Sequence, residues 1–122
     1  MRDYKKLNVW SVGREINKEI YLLTGKFPKS EIYGLVSQMR RASISVISNI
    51  AEGCRCDSNK EFIQFLRTSV GSVKELECQL YASLDIGYIS EGDSDKIIKR
   101  LDELGRMLWT YIKYLKDKND EK

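Results

Sequence analysis

Apolar side chains along this 122-residue chain return every three or four positions in four separate runs, the period of one face of an α-helix. In the first run Val9, Val12, Ile16, Ile20 and Leu23 form one stripe, flanked by Trp10, Gly13 and Tyr21, and Gly25, Phe27 and Pro28 stop it. The second carries Leu35, Met39, Ala42, Val46, Asn49 and Gly53, with Ser30 as the expected N-cap and Glu31 in the first turn. The third opens on Ser58-Asn59-Lys60-Glu61, a capping box just before Phe62 and Ile63. Its inward stripe is Phe62, Phe65, Leu66, Ser69, Val73, Leu76, Leu80 and Leu84, and Gly87 ends it, while Gly71-Ser72 is expected to admit a neighbouring helix closely. The fourth opens at Ser90 or Ser94, has Glu91, Asp93 and Asp95 near its positive end, and carries Ile97, Leu101, Leu104, Leu108, Tyr111 and Leu115. Residues 116–122 read as a charged, frayed tail. The spacing predicts helices over about 7–24, 31–54, 58–86 and 94–116 in one domain covering 1–122. Their short connections make sequential neighbours antiparallel. The expected fold is all-α, an antiparallel up-and-down four-helix bundle.

The second run is unusual because polar groups lie beside and within its apolar stripe. Arg41, Ser45, Asn49 and Glu52 also recur every three or four residues. Unpaired buried polar groups cost several kcal/mol, so they need partners. One reading is an internal network fixing helix register, with Arg41 paired to Glu52 or to Glu75 of the third helix. The other is a polar binding site in the bundle or at a subunit seam. Ile44, Ile47 and Ala51 lie off the main stripe, and that extra apolar width suggests contact with a second subunit as well as with the core.

Composition narrows the functional classes. Hydrophobic residues make up 42% and charged residues 32%, a globular balance with a single proline at Pro28. Net charge is only +3, mild for a dedicated nucleic-acid binder. The excess lies in the first half: residues 1–57 carry 10 basic and 6 acidic side chains, so +4, and residues 58–122 carry 11 and 12, so −1. There is no histidine, which removes the commonest general base and metal ligand and the Ser-His and Cys-His nucleophile pairs. Cys54, Cys56 and Cys78 are an odd number without framework spacing, which points to reduced thiols in a cytoplasmic setting. MRDYKKLNVW lacks the apolar core of a secretory signal, and the uncharged run Ala42–Ala51 is too short to span a bilayer.

Several motifs together carry a resemblance. They are Leu7-x-Val9-Trp10, Phe27-Pro28-x-x-Glu31-x-Tyr33-Gly34-Leu35, Ser37-Gln38-x-x-Arg41-Ala42 and Ser45-x-x-x-Asn49-Ile50-Ala51-Glu52-Gly53. Ser58-x-x-Glu61-Phe62-x-x-Phe65-Leu66, Gly71-Ser72-x-x-Glu75-Leu76-Glu77-x-Gln79-Leu80 and Gly87-Tyr88-Ile89 complete them. The chain resembles the four-helix-bundle proteins encoded in intervening sequences of bacterial 23S rRNA genes, related to the accessory variability determinant proteins of diversity-generating retroelements. The resemblance implies an antiparallel bundle assembling into a ring-like homopentamer. In the retroelement branch it implies a reverse transcriptase partner and a basic surface for RNA or DNA. This chain has Ile47 where relatives often have proline. Its loop Cys54-Arg55-Cys56-Asp57 carries one positive and one negative charge, where relatives are more basic.

The candidate residues follow from these readings. Phosphate contacts need positive charge spaced along a surface, and Arg14, Lys18, Arg40, Arg55, Lys60, Arg67 and Lys74 are the candidates. The alternative is a solvated face, with Glu15 and Glu19 offsetting Arg14 and Lys18. Trp10, Tyr21, Tyr33, Tyr81 and Trp109 read as core or interface aromatics rather than base-stacking platforms. Cys54-x-Cys56 lacks the further ligands a zinc site needs, and Glu61, Glu75 and Glu77 lack an acid-base partner. The expectation is a non-catalytic, self-associating bundle with no cofactor, metal, membrane span or small-molecule substrate. It presents a surface to nucleic acid or to a nucleic-acid enzyme, or else serves as a structural or adaptor oligomer for a protein partner.

Overall fold

The computed structural model describes residues 2–120, with side chains through residue 118. Four long helices carry the fold: α1 (Asn8–Thr24), α2 (Leu35–Gly53), α3 (Asn59–Ile86) and α4 (Glu91–Asp120), with no strand among the described residues. Short 3-10 turns cover Tyr4–Lys6 and Lys29–Glu31.

The order of side-chain contacts fixes how the helices run. From α1 to α2, Gly13 meets Ile47, Asn17 bonds Ser43 and Thr24 bonds Arg40. From α2 to α3, Met39 meets Ser83, Ser45 meets Ser72, Val46 meets Ser69 and Gly53 meets Phe62. From α3 to α4, Arg67 lies over Trp109 and Val73 faces Gly105. Between α1 and α4, Gly13 faces Leu104 and Glu19 bonds Arg100. In every pair one number rises as the other falls, so neighbours are antiparallel and the bundle is up-and-down. Consecutive helices pack together and α4 closes back onto α1, which leaves α1 diagonal to α3.

The predicted stripes form the core. Ile16, Ile20, Met39, Phe62, Leu66, Leu76, Leu80, Leu101, Leu104 and Leu108 are fully buried; on α2, Ile50, off the predicted stripe, is fully buried too, whereas the stripe members Leu35 and Asn49 are only half-buried. Two glycines let helices approach. A Cβ on Gly13 would lie 2.8 Å from Ile47 Cγ2, and one on Gly53 would lie 2.7 Å from Phe62 Cδ1 and 2.8 Å from Phe65 Cβ. Gly71 does not play that part. It is exposed, and a Cβ there would meet nothing within 4 Å, because it stands on the outer side of α3, while its neighbour Ser72 turns inward.

The helix ends follow local chemistry, with three corrections. Ser58 Oγ accepts from Glu61 N–H at 3.1 Å, as its capping box requires, and Gly87 ends α3 at φ +90°. The second helix begins at Leu35 rather than near Glu31, since Pro28 holds extended backbone and Ser30 falls in a 3-10 turn instead of capping. The fourth begins at Glu91, where Ser90 Oγ accepts from Asp93 N–H at 3.1 Å, and Ser94 is buried inside the helix. It extends through Asp120 rather than ending near residue 116, and residues 121–122 of the expected tail lie outside the described residues.

Candidate interaction surface

The connection between α1 and α2 builds an open groove. Glu31 organises it. One carboxylate oxygen accepts from Leu35 N–H at 3.4 Å, at the start of α2, and the other accepts from the Tyr88 hydroxyl at 2.9 Å. Gly34 leaves room for that carboxylate, since a Cβ there would lie 2.8 Å from Glu31 Oε1. The hydrogen bond to Glu31 holds the Tyr88 hydroxyl above its ordinary pKa. With Glu31 turned toward α2 and Tyr88, the next two residues point outward. Ile32 is exposed and Tyr33 is 95% exposed.

Ile32, Tyr33, Val36, Arg40 and Ile44 face Tyr21 across a groove of about 430 Å³, with Ser37 and Arg41 completing the lining. No carboxylate lines it. Arg40 lies over the Tyr21 ring at 4.5 Å and donates from Nε to Thr24 Oγ1 at 3.0 Å and from Nη2 to the Tyr21 carbonyl at 3.3 Å. Its charge therefore serves the negative C-terminal end of α1. Arg41 is exposed and has no partner among the described residues. A second open groove, about 650 Å³, lies between the start of α1 and α4, with Leu7, Val9, Met107 and Tyr111 in its wall and Lys6 and Arg106 among its charged lining.

The polar set on α2 divides. Asn49 Nδ2 donates to the Ser45 carbonyl at 2.8 Å and to Ser45 Oγ at 3.0 Å, and Ser72 Oγ lies 2.8 Å from Ser45 Oγ. Those three close a small hydroxyl–amide cluster between α2 and α3. Arg41, Glu52 and Glu75 are exposed and stand apart from it, and Glu75 accepts only from Gln79 Nε2 at 3.4 Å. The expected pairing of Arg41 with Glu52 or Glu75 is absent among the described residues. Geometry explains this: at about 100° and 1.5 Å per residue, Arg41 and Glu52 stand about 200° and 220° around α2 from buried Met39, away from the core, and roughly 16 Å apart along the axis.

The seven basic candidates do not form one patch. Arg14 and Lys18 are exposed on α1, with Arg14 5.5 Å over the Trp10 ring. Arg55 is exposed in the turn after α2, and Lys60 is exposed on α3. Arg40 is committed to α1, Arg67 lies 5.8 Å over Trp109, and Lys74 pairs with Glu77 at 3.3 Å. Of the aromatics, Trp10 is half-buried edge-on to Tyr4, whereas Tyr21, Tyr33, Tyr81 and Trp109 are exposed rather than in the core of this chain.

All three cysteines are free. Cys54 and Cys56 are buried and Cys78 is exposed. Burial pushes the Cys54 thiol above its ordinary pKa. Arg2 covers the turn that holds the buried pair: its N–H donates to the Cys54 carbonyl at 3.3 Å, its guanidinium donates to the Cys56 carbonyl at 3.0 Å and to Asn59, and it lies 4.2 Å over the Phe62 ring. Among the described residues no three His, Cys, Asp or Glu side chains converge as a metal site requires, and no helix is long and apolar enough to cross a membrane.

The pattern of the 23S rRNA-intervening sequence protein family matches residues 5–110 of this chain. The chain belongs to that family. A crystal structure of a protein with unknown function from the S23 ribosomal protein family of Bacteroides thetaiotaomicron has the same fold, with a TM-score of 0.77 at 22% identity over 86% of this chain and 98% of that one. No curated protein sequence matches this intervening-sequence protein. Neither description names an activity or a substrate.

Proposed function

We propose that this intervening-sequence protein is a non-catalytic assembly protein whose copies associate and present their joint surface to nucleic acid or to a nucleic-acid enzyme. The observation that carries the reading is the α1–α2 groove. Its exposed Tyr21, Ile32, Tyr33 and Ile44 form one contiguous apolar surface at a place where the chain's own core is already complete. An apolar surface rimmed by polar residues marks an interaction site. Arg41, Glu52 and Glu75 do not converge, which speaks against a catalytic cluster. Arg14, Lys18, Arg55 and Lys60 are exposed without ion-pair partners among the described residues and are available to phosphates.

One observation favours a protein adaptor instead: Arg40, Arg67 and Lys74 are already engaged within the chain. Native mass spectrometry in volatile salt decides between the readings. A homopentamer near five times 14.2 kDa, carrying mass that nuclease removes, supports assembly with nucleic acid. A clean oligomer favours the protein adaptor, and a monomer at every concentration overturns both.

A further inference from the structure

We infer that copies of this chain meet through unlike surfaces: the arginine-bearing groove between α1 and α2 receives the acidic upper edge of α3 and α4 from a second copy. The inference rests on self-association as proposed above and names the two surfaces.

The receiving side is apolar and positive. Ile32, Tyr33 and Ile44 are exposed, Arg40 and Arg41 line the groove, and no carboxylate does. The opposite side of the bundle has the complementary character. Arg67 over Trp109 marks where the outer faces of α3 and α4 meet. Steps of seven along α3 lead from Arg67 through Lys74, whose charge is paired with Glu77, to Tyr81, and Asp85 lies one turn further. Steps of three or four back along α4 from Trp109 lead to Ile98, Asp95 and Glu91. Tyr81 is 53% exposed, and Asp85, Glu91 and Asp95 are exposed with no ion-pair partner among the described residues.

The two surfaces also lie at the same height. Tyr88, in the turn between α3 and α4, bonds Glu31 and packs against Phe27 with ring centroids 5.3 Å apart, so that turn and the α1–α2 connection share one end of the bundle. One surface is on the α1–α2 side and the other on the α3–α4 side. A side-by-side contact between them is heterologous and leaves each copy one unused surface of each kind for the next. Nucleic acid fits the groove less well than a second copy does. Arg40 is bound to the end of α1, so Arg41 alone is uncommitted, and the remaining lining is largely apolar.

Sedimentation velocity of nuclease-treated protein tests this with charge reversals at two exposed positions, Arg41→Glu and Asp85→Lys. Helical circular dichroism and melting confirm that each variant folds. Each single variant weakens self-association by roughly tenfold or more, since it juxtaposes like charges across the contact. The double variant, Arg41→Glu with Asp85→Lys, regains association. Single variants that sediment like the parent, while the parent is oligomeric, overturn the proposed contact and leave self-assembly standing. Failure of the double variant to recover also overturns it. So does an Arg41→Glu variant that stays assembled but loses nuclease-sensitive mass before nuclease treatment, which would assign the groove to nucleic acid. A parent protein that is monomeric throughout overturns self-assembly itself.

Discussion

Replacing Gly53 and Gly71 by alanine should change stability in opposite directions, although both are helical glycines. At Gly71 a Cβ meets nothing within 4 Å, so only helix propensity counts, and alanine should add ~0.5–1 kcal/mol. At Gly53 the new methyl would lie 2.7 Å from Phe62 Cδ1 and 2.8 Å from Phe65 Cβ. Phe62 is fully buried, and a Cβ cannot swing away without moving its helix, so neither neighbour yields easily. Overpacking of this kind costs ~1–3 kcal/mol. Gly53 is the last residue of α2, where the propensity gain is smaller than in mid-helix, so the net expectation is a loss of about 1–2 kcal/mol.

For a domain of this length 1 kcal/mol moves Tm by roughly 3–5 °C, so the two variants should melt roughly 5–15 °C apart. Thermal melts and urea titrations at one fixed protein concentration measure the difference, because association makes stability depend on concentration. A Gly53→Ala variant as stable as the parent would refute the close approach of α2 and α3. A destabilised Gly71→Ala variant would show that its outer face is occupied.

Other consequences can be checked separately. Cys78 should react with a thiol reagent at once and Cys54 and Cys56 slowly, with Arg2→Ala speeding the slow phase; peptide mass spectrometry reads the sites, and equal rates at Cys54 and Cys78 in the parent would refute the cover. Stability should fall at alkaline pH. The Cys54 and Tyr111 protons are held by burial and the Tyr88 proton by its bond to Glu31, so their contributions are complete below the ordinary values of 9.0 and 10.0 and are lost as pH rises through the raised ones. In urea titrations from pH 8 to about 11, Cys54→Ala should flatten the first part of that decline and Tyr88→Phe the later part. Arg40→Ala should lower stability by about 1 kcal/mol through its lost bonds to Thr24 and Tyr21, whereas Arg41→Ala in the monomeric state should leave the melt unchanged.

What the sequence made legible was what local chemistry decides. The box at Ser58 and the stop at Gly87 act within a few residues, and the buried stripes need only the helical period. Which way a particular position faces was harder to read. Arg41, Ser45, Asn49 and Glu52 share one sector of α2, but that sector straddles the edge next to α3, and only Ser45 is turned far enough to meet Ser72, with Asn49 bonded to Ser45 beside it. The same ambiguity hid Gly71, one residue before a buried serine. The groove was invisible for a different reason. It joins Tyr21 and Arg40 from separate helices, and it depends on Ile32 and Tyr33 lying outside α2 rather than in its first turns. Two adjacent apolar residues between Pro28 and Gly34, off the helical stripe, were the available signal.

The scattered basic residues and the proposed contact between copies bear on each other. Arg14 and Lys18 lie on α1, whereas Lys60 lies on the diagonal helix α3, so one nucleic-acid strand meets few of them on a single copy. Binding through phosphates has a salt dependence near about −0.9 per neutralised phosphate on duplex DNA, so an isolated chain should bind weakly and with a shallow slope. Copies joined side by side would repeat each cluster at regular intervals and steepen the slope without any new basic residue. Arg41→Glu should then weaken nucleic-acid binding and flatten its salt dependence by dispersing the copies, though it removes no phosphate contact of its own. The double variant with Asp85→Lys should restore both, because assembly returns while position 41 stays negative. Binding titrations at several salt concentrations, run alongside sedimentation, make the comparison. If the double variant reassembles but binding does not return, Arg41 itself holds phosphate, and the basic clusters are not what assembly organises.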